Sequence, residues 1–473
     1  MNATSQPSDL SAAKRTGWIV IVGGMAAIFD TTIVAVALHT LAQDLSTTVD
    51  IIQWVSTAYL LALGVTVPTV GWAQRRFGGK RLWMMALAIF LLGSILCSLA
   101  WNAESLIAFR VVQGIGGGIM TPLMATLVVQ AAGGKSLGNL MALVSLPVAL
   151  GPILGPVLGG IILNGLTWHW LFLVNVPFCL AGLVLAYRFL PDDEPGNGTA
   201  RLDIIGLCLL SPAVVTLLYG LGNSSAAGGF GQADAFIPMI LGVALLVAFV
   251  AWSWMRKDQA LIDIRVFRHW PLSSSFVLLF CTGIAIYGAM LLLPLYFQGI
   301  RGTDALGAGL LLIPQGVGTF LSRTVSGRLS DRIGARGVAI AGFAIIGLGT
   351  LPFTAVDATT PVWVLLVTLL IRGVGLGAVT IPIMAVAFEG LDRTEVPEAS
   401  ILTRLASQIG GSFGTAIFAS LLTGAMTTDG DGSVPFQHAF WWATGLTVVA
   451  AVLALALPGV HPASEPAASP AKT

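Results

Sequence analysis

Apolar runs of about twenty residues recur almost end to end along this chain, separated by short breaks rich in charge, glycine, proline or asparagine. A helix rising about 1.5 Å per residue needs roughly 20 residues to cross about 30 Å of hydrocarbon. Each run therefore predicts a membrane-spanning helix. The breaks give fourteen, over residues 17–41, 51–73, 82–101, 105–131, 138–163, 170–190, 204–222, 235–255, 272–298, 306–327, 337–356, 361–388, 400–425 and 438–457. An even count puts both termini on one side of the bilayer.

The charges between the runs support that count. Lys14, Arg15, Arg75, Arg76, Lys80, Arg81, Lys135, Arg188, Arg201, Arg256, Lys257, Arg265, Arg268, Arg328, Arg332, Arg336, Arg393 and Lys472 fall at the termini or in even-numbered connections. The opposite connections hold Arg301 beside acids such as Asp44, Asp50, Glu104, Asp234, Asp304, Asp357, Asp429 and Asp431. Lys and Arg concentrate in cytoplasmic loops, so the termini and even connections are predicted to be cytoplasmic. An odd number of spans would break the alternation.

Composition excludes a soluble fold: 56% of residues are hydrophobic and 10% charged, against roughly 25% charged in soluble chains. A net charge of +1 gives no support to nucleic-acid binding. Cys97, Cys179, Cys208 and Cys281 lie inside apolar runs without CxxC or Cys/His spacing, so neither a disulfide framework nor a metal site is expected. They read as small core residues. The first apolar run lacks a small-residue cleavage site and is followed by many more, which predicts a retained helix rather than a signal peptide.

Two stretches repeat eight spans apart. Gly71-Trp-Ala-Gln-Arg75-Arg76-Phe-Gly78 after span 2 and Gly327-Arg-Leu-Ser-Asp331-Arg332-Ile-Gly334 after span 10 both fit G-x-x-x-(D/R)-R-x-G. Gln113-Gly114-Ile-Gly116-Gly-Gly118 in span 4 likewise matches Arg372-Gly373-Val-Gly375-Leu-Gly377 in span 12. Two six-span halves are predicted, residues 1–190 and 270–473, with two inserted spans in 191–269. Parallel repeats of this kind place a transporter's site near the midplane between the halves.

Depth sorts the ionisable residues within the spans, because a charge at the bilayer centre costs about 2.5–3.5 kcal/mol on insertion scales and is retained for function. Asp30 lies 13 residues beyond Gly17, roughly 20 Å from the cytoplasmic face. Arg110 lies six residues beyond Glu104, roughly 9 Å from the outer face. The two fall at nearly one height and can pair directly or through water. Either the pair couples protons to transport or it is a static brace. Arg372, 11 residues beyond Pro361, sits about 16 Å deep. It can bind a substrate carboxylate or phosphate, stack on Tyr287, or cap a neighbouring helix. Arg323, Arg404 and Glu389 lie near span ends and are expected to snorkel. Gln53, Tyr59, Gln113, Gln315 and Gln408 are candidate cavity lining or interhelical hydrogen bonds. Neither GxGxxG nor a P-loop is complete, so ATP drive is not expected.

Five further motifs stand in order: Asp30-Thr-Thr-Ile-Val34, Gln53-Trp-Val-Ser-Thr-Ala-Tyr59, Arg110-Val-Val-Gln113-Gly114, Gly151-Pro152-Ile-Leu-Gly155-Pro156-Val-Leu-Gly159-Gly160 and Trp168-His-Trp170-Leu-Phe172-Leu-Val-Asn175-Val-Pro177. Over nearly its whole length the chain resembles the fourteen-span drug:proton antiporter family of the major facilitator superfamily. That resemblance implies an all-α integral membrane fold of two six-helix bundles plus two extra helices, working by alternating access in a bacterial cytoplasmic membrane. It implies a monomer among membrane lipid that exchanges protons for small amphipathic molecules, driven by the proton gradient with no other cofactor; no periplasmic adaptor can be named. It implies a transporter rather than an enzyme. The glycine–proline motif of span 5 corresponds to the family's antiporter motif, expected between the halves, and Arg75, Arg76, Asp331 and Arg332 correspond to its gating motif. Arg75 stands where the family normally has Asp, which questions the latch of the N-terminal half. Ala35 and His39 replace a common Asn and Pro. With two arginines against one acid, the cavity also suits an anionic or zwitterionic metabolite. A membrane sensor that has lost transport is the third reading.

Overall fold

The computed structural model describes residues 10–47, 49–132, 137–192, 202–226, 232–256, 260–303, 305–392, 394–425 and 433–459. Lys135, Arg201, Lys257, Asp304, Arg393, Asp429, Asp431 and Lys472 lie outside them, as do the side chains of Ala35, His39, Asp50 and Gln53. Every regular element among the described residues is a helix. The N-terminal half comprises α1 (Leu10–Asp44), α2 (Val49–Thr66), α3 (Val70–Phe77), α4 (Gly79–Ser98), α5 (Ala103–Ala132), α6 (Leu137–Gly165), α7 (Trp170–Leu173) and α8 (Asn175–Phe189). The inserted pair is α9 (Ile204–Ala226) and α10 (Ala233–Arg256). The C-terminal half comprises α11 (Trp270–Gly299), α12 (Ala305–Leu311), α13 (Ile313–Ile333), α14 (Ala335–Thr350), α15 (Val362–Val386), α16 (Val396–Ala425) and α17 (Val434–Leu453).

Twelve of the helical stretches among the described residues are long and apolar enough to cross a membrane. The two predicted spans outside that set are 138–163 and 306–327. Several side chains of α6 fall outside the described residues. The other span is broken at Leu312 and carries Gln315, Thr319, Ser322, Arg323 and Ser326. Helices also outrun the apolar runs that predicted them. The repeated motif expected in a loop is helical, Gly71–Phe77 on α3 and Gly327–Ile333 on α13. Backbone hydrogen bonds carry a helix past the hydrocarbon edge wherever polar side chains can meet water. Each copy stops where its final glycine turns the chain at positive φ, 85° at Gly78 and 91° at Gly334, a conformation a side chain disfavours.

The repeat is reproduced in the packing. A Cβ added to Gly93 would lie 2.6 Å from Gln113 Cα, and one on Gly349 2.6 Å from Arg372 N. Gly114 faces the carbonyl of Tyr59, and Gly373 that of Gln315. The crossing of α5 on α2 and α4 is thus copied by α15 on α13 and α14. Small residues let helix backbones approach closely where hydrophobic driving force is absent. Gly93→Val and Gly349→Val are each expected to reduce stability by about 1–3 kcal/mol or more through overpacking. Thermal melting of the detergent-purified variants checks this, and an unshifted midpoint contradicts it.

The halves meet along α6 with α13, and along α3 and α5 with α16. The inserted α9 packs on α2 and on α16, so it touches both halves, and Ser211 Oγ donates to the carbonyl of Val65 at 3.2 Å. Within α6, along which the halves meet, the glycine stripe turns toward its own half. Gly151, Gly155 and Gly159 face Ile28, Thr32 and Ile33 of α1. One helix face can serve one close neighbour, and here the neighbour is inside the same half. Pro152 and Pro156 sit within α6; their side chains lie outside the described residues. Cys97 and Cys179 are buried, but Cys208 is exposed, a position where lipid accepts a thiol as readily as a core does.

Candidate functional site

Asp30 and Arg110 meet directly in the core of the N-terminal half, 0% and 1% exposed. Asp30 comes from the middle of α1, Arg110 from the second turn of α5, and Gln113 from the same α5 face three residues on. Arg110 Nη1 donates to Asp30 Oδ2 and, at 2.7 Å, to Gln113 Oε1. Its Nε donates to the carbonyl of Val55 on α2 at 3.0 Å. Asp30 Oδ1 accepts from Gln113 Nε2 at 2.9 Å and from Asn175 Nδ2 at 3.0 Å. Ser94 of α4 accepts from both amides, at 2.8 and 3.4 Å. The guanidinium lies over the Tyr59 ring, 4.1 Å from its centroid.

Burying an unpaired carboxylate or guanidinium is prohibitive, so each charge is here the condition for the other. The carboxylate faces three donors. Oδ2 points at a guanidinium, which has donors only and no acceptor to offer. Two polar atoms in the same region, Tyr59 Oη and Asn175 Oδ1, are buried with no hydrogen-bond partner among the described residues.

The repeat sets a different group at the mirror position. Arg372 takes the place of Gln113, is buried, and donates to Thr350 Oγ1 at 3.2 Å, Gln315 Oε1 at 2.7 Å and the carbonyl of Ala285 at 2.9 Å. All three acceptors are neutral. Tyr287 does not stack on it; its ring lies against Gly411 of α16.

Of the residues expected to line a cavity, Tyr59 and Gln113 are instead buried inside the N-terminal half, Gln113 because its amide bonds both charges and Tyr59 because its ring lies under the guanidinium. Gln315 and Gln408 are partly exposed and Tyr287 is exposed. Arg323 does not snorkel. It is 6% exposed, on a helix held between α6 and α15. Arg404 is partly buried and Glu389 exposed.

Residues 20–415 match the family described as the Major Facilitator Superfamily. The chain belongs to that superfamily. It is a multi-pass membrane transport protein, not an enzyme. The "Multidrug resistance protein B homolog" of Mycobacterium tuberculosis is 38% identical over 411 residues, covering 86% of this chain and 76% of that protein. "Lincomycin resistance protein LmrB" of Bacillus subtilis is 26% identical over 404 residues, covering 85% and 84%. A double-Trp mutant of XylE shares the fold at a TM-score of 0.68 and 16% identity, covering 95% of this chain and 97% of that one. The human organic anion transporter MFSD10 does so at 0.64 and 15%, covering 93% and 99%.

In this facilitator the two motif copies join the halves at the Arg-rich face by different chemistry. Arg75 Nη1 reaches Glu398 Oε1 at 2.9 Å, with Glu398 in the first turn of α16 and its side chain 8% exposed. Asp331 Oδ2 accepts from the backbone N–H of Asn139 at 3.3 Å, in the first turn of α6, where helix N–H groups have no partner within the helix. Ser400 Oγ adds a bond to the carbonyl of Pro122 at 2.7 Å. Arg76 and Arg332 are exposed. The Asp-to-Arg departure at position 75 therefore meets an acid rather than empty space.

Ser94, Asn175 and Glu398 were not singled out from the sequence. Asn175 lies within the Trp168–Pro177 motif but, like Ser94, carries no charge to mark it. Glu398 was assigned to a connection. An arginine where an acid is usual was the signal to search for an opposing carboxylate.

Proposed function

We propose that this facilitator is a fourteen-span proton-coupled antiporter that exports small amphipathic molecules across a bacterial cytoplasmic membrane by alternating access, with both termini cytoplasmic. It works as a monomer and needs no cofactor beyond the proton gradient. The helical stretches at α6 and α12–α13, added to the twelve apolar ones, support the span count. The single observation that carries the coupling is a carboxylate buried at membrane depth in direct contact with a guanidinium on another helix. On this reading Arg110 is the partner that Asp30 exchanges: when a conformational change or substrate draws Arg110 away, a proton takes its place on the carboxylate. Relatives named for resistance to drugs support the direction and substrate class. A growth-inhibition panel of toxic amphipathic compounds, with and without expression, tests the reading. Resistance abolished by a protonophore supports it, and an unchanged panel contradicts it.

A second reading, export of an anionic or zwitterionic molecule, is favoured by Arg372, whose acceptors among the described residues are neutral. On that reading Arg372→Met weakens transport of carboxylate-bearing compounds about tenfold or more, the loss of one charge-assisted hydrogen bond, and spares their esters. Uptake of such acid–ester pairs into inside-out vesicles checks it, and equal loss for both removes the reading.

A further inference from the structure

We propose that the N-terminal half carries a binding site for the phosphate headgroup of an anionic phospholipid, built where the ends of α1, α4 and α8 converge on the Arg-rich face. An open cavity of about 570 Å³ there is lined by Arg15 of α1, Lys80 of α4 and Arg188 of α8, together with the segment Phe189–Asp192 that follows. Three cations from three helices thus surround one space, and its lining acid among the described residues is Asp192, which holds Lys80 at 2.8 Å and is itself 95% exposed. The hydrogen bond to Lys80 lowers the Asp192 carboxyl below its ordinary range, so this acid stays charged and partners Lys80 while Arg15 and Arg188 remain at the rim. Arg15 and Arg188 are exposed.

Loop charge alone would scatter cations over this face. The cavity adds concavity, and the helices beneath it add a path for an acyl chain. On α8, Leu180, Val184 and Tyr187 are 49%, 60% and 70% exposed, at spacings that align them on one outward stripe ending beside Arg188. On α1, which packs against α8, Trp18 is 56% exposed one turn below Arg15. Aromatic rings favour the headgroup level, and basic pockets between helices on the cytoplasmic side bind anionic headgroups. A phosphate cradle above an apolar stripe matches a lipid better than a free phosphate, which would use the cradle alone.

The test uses full-length protein in detergent, with thermal midpoint and native mass spectrometry as readouts. Phosphatidylglycerol and cardiolipin are titrated against phosphatidylcholine and against inorganic phosphate. The anionic lipids are expected to raise the midpoint and to remain bound, and phosphatidylcholine and inorganic phosphate are not. Arg15→Gln with Arg188→Gln is expected to weaken anionic-lipid binding about tenfold or more, while Arg15→Lys with Arg188→Lys keeps most of it. Arg256→Gln with Arg328→Gln removes the same charge elsewhere on this face and is expected to change binding little. All four arginines are exposed, so the variants should stay folded, which the midpoint without lipid verifies. Equal weakening by the Arg256/Arg328 pair, or stabilisation by inorganic phosphate equal to that by lipid, overturns the proposal.

Discussion

Arg75→Asp, which installs the residue usual at this motif position, is expected to open this transporter rather than restore it. The substitution would set two carboxylates together where Arg75 now reaches Glu398 at 2.9 Å. Glu398 is largely buried, so losing its cation leaves a carboxylate without its charge-assisted hydrogen bond, worth about 1.5–3 kcal/mol. That bond joins α3 to α16 across the halves, beside the Ser400–Pro122 contact. Breaking it should shift the population away from the state closed at this face, by about tenfold or more. Ser400→Cys, in a background without the four native cysteines, reports the change: Ser400 is buried where the halves meet, and a thiol reagent added to inside-out vesicles should label it about tenfold faster when Arg75 is Asp. Arg75→Glu with Glu398→Arg should recover most of the protection. Recovery should be incomplete, because a cation in the first turn of α16 opposes the helix dipole. An unchanged labelling rate in Arg75→Asp, or no recovery in the exchanged pair, contradicts the latch.

The membrane fold was legible because hydrocarbon demands apolar length. The glycine repeat was legible too, since glycines recur where backbones must touch, and Gly93 with Gln113 is copied by Gly349 with Arg372. Depth arithmetic brought Asp30 and Arg110 to one height, but height says nothing of azimuth. It could not tell that the pair faces inward within one half, with Gln113 and Tyr59 drawn in around it. Polar residues that serve a buried charge and those that line a cavity look alike along a helix. The stripe of Gly151, Gly155 and Gly159 was legible as a close-packing face, but which helix it meets depends on how α6 is turned, and that is set by tertiary packing. Glu398 was missed because the apolar pattern begins after it, while the helix begins before it at Val396.

Asp30→Asn bears on the proton itself. The amide keeps the size of the carboxyl and can still accept from Asn175 or Gln113, but it leaves the Arg110 guanidinium without its counter-ion in a buried site. Removing one member of such a pair costs about 3–5 kcal/mol, so the single variant is expected to melt earlier. Asp30→Asn with Arg110→Gln removes both charges and is expected to recover much of that stability. A brace and a proton coupler now part company. If the pair only braces α1 against α5, transport returns with stability. If Asp30 carries the proton, stability returns and coupling does not.

The deciding measurement is efflux driven by an imposed pH gradient in inside-out vesicles, using a compound identified by the growth panel, for the wild type, Asp30→Asn and the double variant. The predicted result is gradient-driven accumulation in the wild type alone, with rates normalised to the amount of each protein in the membrane and neither variant responding to the gradient. Gradient-driven transport by either variant at the wild-type rate would contradict the assignment of Asp30 as the coupling residue.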